Sequence, residues 1–394
     1  MGASALTQAP HNVSRRSGSR AVRANARCRA TLAPVSTSSH TPTAPHGRIV
    51  AYDALRVFAI VTVVAIHTLM PYRDVLPPDA PVRVFDDVLH YAVPLFVFIS
   101  GALLWSRPWP KAPATYRRFL QRRTVTIALP YLAWATVFSA LYVLRAGDAL
   151  GASRELPGLV ATGHVWYHLY FVPMLLTFYL LTPVASRLAQ RSPEALLVLA
   201  YALRLLGGAA ITGLARDVGG TLAWQYATHI VIHLPHMALG AWFALRLPLF
   251  RAWVSHLWLP LLTAGLTVNI AVSLGAFAPL PARVRNPIIA AGMAITVLGI
   301  VLKAIEREPL YERWSSAITR AGSLAFGVYF VHPLFLLAID GVIALADAET
   351  IWLAWPWLPA VVWLMVTWTS FAAAGLLAQR PATAWLVGLT SRER

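Results

Sequence analysis

Polar and apolar positions divide the chain sharply near residue 48. Residues 1–47 are rich in Ser, Ala, Thr, Pro and Arg, contain no Asp or Glu and hold no apolar run. Such a segment cannot bury enough apolar surface to fold, so it is expected to be a disordered, basic cytoplasmic tail. Beyond it, apolar runs of the length a helix needs to cross a bilayer recur to the end of the chain. Ten are recognised, at approximately 49–71, 88–106, 124–144, 165–184, 194–213, 224–245, 254–278, 287–305, 321–343 and 353–378. The fifth is the least regular, since it contains Arg204 and the pair Gly207-Gly208. Backbone groups facing lipid must find partners within their own segment, and the periodicity is helical. The pattern predicts an all-α integral membrane protein, a polytopic bundle of about ten transmembrane helices over 48–380. A cytoplasmic C-terminal tail is expected at 381–394.

Composition supports this reading. Hydrophobic residues make up 58% of the chain and charged residues only 12%, against about 25% in ordinary soluble domains. The net charge of +17 would suggest nucleic acid in a soluble protein. Here the basic residues fall mostly in short loops, and no base-stacking motif or basic helix supports a nucleic-acid partner. Alternate loops and the two termini hold 24 Lys and Arg, against 7 on the opposite side, which predicts both termini in the cytoplasm. The single cysteine, Cys28, excludes an internal disulfide framework and a CxxC metal site. Arg15-Arg16 is followed by no apolar stretch of an export signal, and the acid-free composition of the segment also fits an organelle transit peptide.

The first crossing carries Asp53, Arg56 and His67 inside its apolar run. Ionisable groups at membrane depth cost roughly 2.5–3.5 kcal/mol each on insertion scales and mark functional sites. Arg56 and His67 are 11 residues apart, three turns plus roughly 20°, so they share a face about 16 Å apart along the axis. Asp53 lies one turn before Arg56. The plain alternative is a self-neutralising ion pair and a packed histidine. An imidazole in an apolar bundle can act as a proton acceptor, and an arginine near the membrane surface suits a phosphate. Ser100-Gly101, in the second crossing, permits close helix approach. Lys111, Arg117, Arg118, Arg122 and Arg123 precede the third crossing and fit either topological anchoring or an anionic cofactor. His164 and His168, and then His229, His233 and His236, recur at helical spacing; no carboxylate or cysteine joins them in register, so no metal is expected. Tyr329, His332 and Pro333 lie in the ninth crossing, where the proline frees a carbonyl and shapes a cavity.

Together these motifs resemble the membrane-embedded acyltransferase 3 family, in its compact form without an extracytoplasmic domain. The family's first-helix pattern D-x-L-R-x10-H is matched by Asp53, Leu55, Arg56 and His67. Its VPLFFxxSG stretch is matched by Val93, Pro94, Leu95, Phe96, Ser100 and Gly101, with Val97 in place of the second Phe. Its H-L-W-[FY] segment is approximated by His168-Leu169-Tyr170-Phe171, and its Y-x-x-H-P element by Tyr329, His332 and Pro333. In the basic loop, Thr126 stands where a second Arg often follows Arg123. The resemblance spans roughly 48–380 and implies a membrane-bound O-acyltransferase of the bacterial cytoplasmic (inner) membrane. It would move an acyl group, usually acetyl from acetyl-CoA, to a hydroxyl of a carbohydrate or lipid-linked glycan. It implies catalytic roles for His67, Arg56, Asp53, Tyr329 and His332. Arg56, Arg118, Arg122, Arg123 and Ser100 would then hold the cofactor, and His168 and Tyr170 the acceptor. Membrane lipid is the remaining partner.

Two other readings stay open on the sequence. An exporter or flippase of small glycan-linked or acylated molecules would also line a path with buried charges. A glycosyltransferase with a lipid-phosphate donor would want acids in the first extracytoplasmic loop, where Asp74, Asp79, Asp86 and Asp87 fall.

Overall fold

The structure is a computed structural model and describes residues 49–77, 79–109, 113–344, 355 and 357–389. The expected tail at 1–47, Lys111 and the last residues of the C-terminal tail lie outside these. No strand occurs among the described residues, and fourteen α-helices account for most of them. In chain order they are α1 (Val50–Val75), α2 (Pro81–Leu89), α3 (Ala92–Leu104), α4 (Pro113–Arg123), α5 (Leu129–Arg145), α6 (Ala149–Thr162) and α7 (Phe171–Arg191). They continue as α8 (Pro193–Leu205), α9 (Gly208–Phe250), α10 (Val254–Ser273), α11 (Ala282–Glu306), α12 (Glu308–Glu312), α13 (Ser315–Ala344) and α14 (Leu358–Gln379).

Eight helical stretches are long and apolar enough to cross a membrane among the described residues. One of them, Gly208–Ser273, runs for 66 residues and contains the expected crossing 224–245 and most of 254–278. The expected fifth crossing, 194–213, is not one span. It is divided between α8, which has 13 residues, and the beginning of α9. At 1.5 Å per residue α8 is about 20 Å long, short of the roughly 30 Å hydrocarbon core. Leu206 and Gly207 separate the two helices, and Gly220 breaks α9 again with φ 69° and ψ −158°. Gly207 is one of the two glycines that made this run irregular in sequence; Gly220 lies beyond it. Pro193 opens α8, and the Ser192 side chain accepts a hydrogen bond from the Ala195 amide, so α7 reverses into α8 within a single capped turn.

α1 occupies the centre. It packs on α13, α3, α2 and α14, and Ala51, Leu55, Ala59, Ile60 and Val64 are almost completely buried along its length. The Trp363 indole of α14 donates to the Val61 carbonyl at 2.9 Å, tying a third helix to it. α3 and α9 meet backbone to backbone. A Cβ on Gly101 would lie 1.9 Å from the Met237 carbonyl oxygen, and one on Gly240 would lie 2.0 Å from that of Phe98. Small residues at a helix crossing are the usual means of close approach where lipid gives no hydrophobic drive.

The expected tail at 381–394 is packed over its described part. Residues Ala384–Val387 form a 3-10 turn in contact with α5, α13 and α14. The Trp134 indole donates to the Leu386 carbonyl at 2.9 Å, and Gly388 sits against the Thr126 carbonyl.

The α3–α9 contact yields a stability test. Gly101→Ala is expected to lower the melting temperature of the detergent-solubilised protein by several degrees, because overpacking of this kind costs about 1–3 kcal/mol. Gly213→Ala, in a helix with nothing within 4 Å of the added methyl, is expected to leave it unchanged or raise it.

Candidate active site

The site is assembled along α1 and the helix that crosses beside it, α13. At one end of α1, Asp53 is buried and accepts from Arg56 Nη1 at 2.5 Å, one turn away. Its other carboxylate oxygen accepts from the Thr319 hydroxyl of α13 at 3.3 Å. The two helices come close here because Gly322 faces the Asp53 backbone; a Cβ on it would lie 3.0 Å from the Asp53 Cβ. The ion pair is therefore gripped by a second helix as well as self-neutralised.

The basic helix α4 lies at this same end. A π-helical turn at Thr124–Ala128 joins α4 to α5. Such insertions re-aim side chains and concentrate at functional positions. Arg123, just before the turn, places its guanidinium over the Phe119 and Tyr179 rings at 5.5 and 5.1 Å. Tyr179 of α7 is also within electrostatic reach of Arg56. Arg123 thus covers a ring that also feels the Arg56 charge, and Arg118 and Arg122 are exposed on the same helix as Arg123. Ser100 points elsewhere, donating to the Phe96 carbonyl of its own helix at 3.0 Å.

Three turns along α1, the sequence-predicted residues His67, His168, Tyr329 and His332 come together. The His67 and His332 rings stack with centroids 5.3 Å apart and planes 18° apart. His168 stands edge-on to His332 at 5.5 Å and to Tyr329 at 5.0 Å. His332 is fully buried, and its Nδ1 lies 3.0 Å from the Val328 carbonyl. A carbonyl only accepts, so Nδ1 carries the hydrogen and the neutral ring keeps Nε2 as an acceptor. That Nε2 is buried without a protein partner, as are both His168 nitrogens and Nδ1 of His67. Buried polar atoms are almost always satisfied in folded proteins, so this concentration of open nitrogens marks a place prepared for a polar ligand. Tyr329 is already committed: its hydroxyl donates to the His168 carbonyl at 2.7 Å. It positions the His168 segment and has no spare hydrogen for a reacting group.

That segment is placed by a short-range device. Gly163 ends α6 with φ 79°, and a Cβ there would lie 2.5 Å from the Tyr170 Cα. Only glycine lets residues 163–170 fold back tightly and deliver His168 to the cluster. Tyr170, expected beside His168 as an acceptor contact, turns the other way and stacks on His229 at 3.9 Å.

A cavity of about 210 Å³ opens onto the cluster, lined by His67, Met70, Pro71, Tyr167, Leu336 and Asp340. Tyr167 packs on the His67 ring at 4.5 Å. Sequence reasoning did not place Tyr167 or Asp340 in the site. Asp340 lies two turns past His332, a spacing visible in sequence but without a partner to give it meaning.

Among the described residues, one group has metal-ligand proximity: Asp86, Asp87 and His90, with ligand atoms within 4.8 Å of one another. Arg73 already faces both carboxylates, at 3.3 and 3.8 Å.

The arrangement is that of a membrane-embedded transferase: an arginine-rich surface at one end of a central helix and a histidine cluster with a cavity at the other. The family model for the acyltransferase domain (Acyl_transf_3) matches residues 49–377, and the chain belongs to this acyltransferase 3 family. No curated protein and no solved structure matches it.

Removing the Tyr329 hydroxyl tests the positioning role. Tyr329→Phe is expected to destabilise the protein by about 0.5–1.5 kcal/mol, the net worth of one hydrogen bond. Acyl transfer should fall through kcat while KM for the donor stays unchanged, measured by steady-state kinetics alongside thermal unfolding.

Proposed function

We propose that this acyltransferase moves an acetyl group from acetyl-CoA to a hydroxyl of a carbohydrate or lipid-linked glycan at the bacterial cytoplasmic membrane. The observation that carries the reading is the placement of Arg56 and His67 on one face of α1, with Arg123 beside the first and a cavity beside the second. The donor is a polyanion and would bind from the cytoplasmic side over Arg56, Arg118, Arg122 and Arg123, where guanidinium groups grip phosphate oxygens in planar pairs. Its pantetheine arm would run inward towards His67.

The acceptor hydroxyl would enter through the cavity between His67, Tyr167 and Asp340. His67 takes the hydroxyl proton as the oxygen attacks the thioester carbonyl carbon, forming a tetrahedral intermediate. Collapse breaks the carbon–sulfur bond and releases the ester. The proton held by His67 passes to the departing thiolate, so CoA leaves as the thiol and the imidazole is restored. His332, with its hydrogen fixed on the Val328 carbonyl, stacks on His67 and holds its ring in place. Asp53 holds the Arg56 guanidinium at the other end. No metal takes part in this scheme.

Two measurements test it. His67→Ala is expected to lower the rate of acetyl transfer by about 10²–10⁴-fold, the usual worth of a general base, as read from acetyl-labelled acetyl-CoA in membranes of matched protein content. Unchanged labelling would remove His67 from the chemistry. Arg123→Gln is expected to raise KM for acetyl-CoA while kcat changes little, because its contact with donor phosphates is the same in ground and transition states. A fall in kcat at constant KM would contradict a donor-binding role.

A further inference from the structure

Arg204 has no part in the proposed transfer, yet it sits in the apolar run that ends α8. Its Nη1 donates to the Ile232 carbonyl of α9 at 3.1 Å. No carboxylate faces it among the described residues; the Tyr201 phenol and the His233 and His236 imidazoles lie within electrostatic reach of it. A guanidinium has five N–H donors, so most of its capacity is unused. A cation in an apolar helix without a counter-charge is costly and marks a functional position by default.

Arg204 lines a cavity of about 460 Å³, together with Gly208, Thr212, Trp224, Thr228 and Asn286. Three helices contribute: α8, both parts of α9 on either side of its break at Gly220, and α11. Arg216 lies over the Trp224 ring at 4.9 Å, adding a second cation at this wall. Two more, Arg283 and Arg285, precede Asn286 in the first turn of α11. The flanks are apolar and exposed, including Leu205, Leu206, Ile211 and Ile232. A free inorganic anion has no use for such flanks, whereas acyl chains do. The wall runs on toward the His168 segment: the residue after Thr228 is His229, whose ring stacks on Tyr170, two residues from His168.

We propose that this cavity binds the phosphate-bearing headgroup of a membrane lipid, with Arg204 gripping the phosphate. Thr212, Thr228 and Asn286 offer hydrogen bonds to the remaining headgroup oxygens, and the exposed leucines and isoleucines take the chains. A bound phosphate supplies the counter-charge that no protein group provides. The site does not depend on the identity of the acyl donor.

The test uses the full chain purified in an uncharged detergent. Its melting temperature is followed while a short-chain phosphatidic acid is added, and separately while inorganic phosphate is added. The lipid is expected to raise the wild-type melting temperature by several degrees and to saturate. Arg204→Gln, and Ala209→Phe, which fills the cavity and leaves the arginine in place, are each expected to lose more than half of that rise. Arg204→Lys should keep part of it. Without lipid, Arg204→Gln is expected to melt no lower than wild type, since it removes an uncompensated cation. A rise that survives either the Gln or the Phe substitution in full overturns the site. A full rise with inorganic phosphate alone overturns the assignment to a lipid.

Discussion

Ionisable groups inside a membrane-length helix need a polar partner, because the hydrocarbon core offers them none. This constraint shapes the centre of the molecule. α1 carries Asp53, Arg56 and His67, and α13 answers along the same line with Thr319 for the carboxylate and His332 for the imidazole. Gly322 sets the spacing at one end. Trp363 of α14 holds α1 from the side. The register of α1 against α13 fixes both ends of the site at once. A slip of either helix would break the grip on Asp53 and the histidine stack together.

That register separates two environments. At the Asp53 end, Arg123 covers the Tyr179 ring within electrostatic reach of Arg56, and Arg118 and Arg122 are exposed on the same helix as Arg123, a surface suited to phosphates. At the His67 end, open imidazole nitrogens face a small cavity, a surface suited to a hydroxyl. About 16 Å of helix lies between them. Membership of the acyltransferase 3 family fits a site with two distinct environments, since acyl transfer brings a donor and a nucleophile to one bond. Arg204 and its cavity add a third environment, close to the His168 segment but outside the reacting line.

Much of this was legible in the chain. Hydropathy located the crossings because a bilayer imposes length and apolarity on each segment independently. It failed at 194–213, where Gly207 and Gly208 interrupt a run whose composition is still apolar. It also gave no notice of α6, which lies outside any crossing. The faces of α1 followed from helical spacing, which put Asp53, Arg56 and His67 on one stripe. Which other faces would meet them did not follow from spacing. The arrival of His168 rests on the Gly163 turn, and that of His332 on the α1–α13 crossing; both are tertiary facts. Tyr170 illustrates the limit, since two residues of irregular backbone were enough to turn it from the cluster to His229.

The central claim is that donor and acceptor approach α1 from opposite ends. Sealed vesicles of known orientation test it most directly, with labelled acetyl-CoA supplied to one face at a time. The face bearing Arg123 is identified by protease access to an epitope at the C-terminus, because Gly388 packs on the Thr126 carbonyl beside that arginine. The account predicts acetyl-CoA turnover only when the donor is on this face. Turnover only from the opposite face would contradict it.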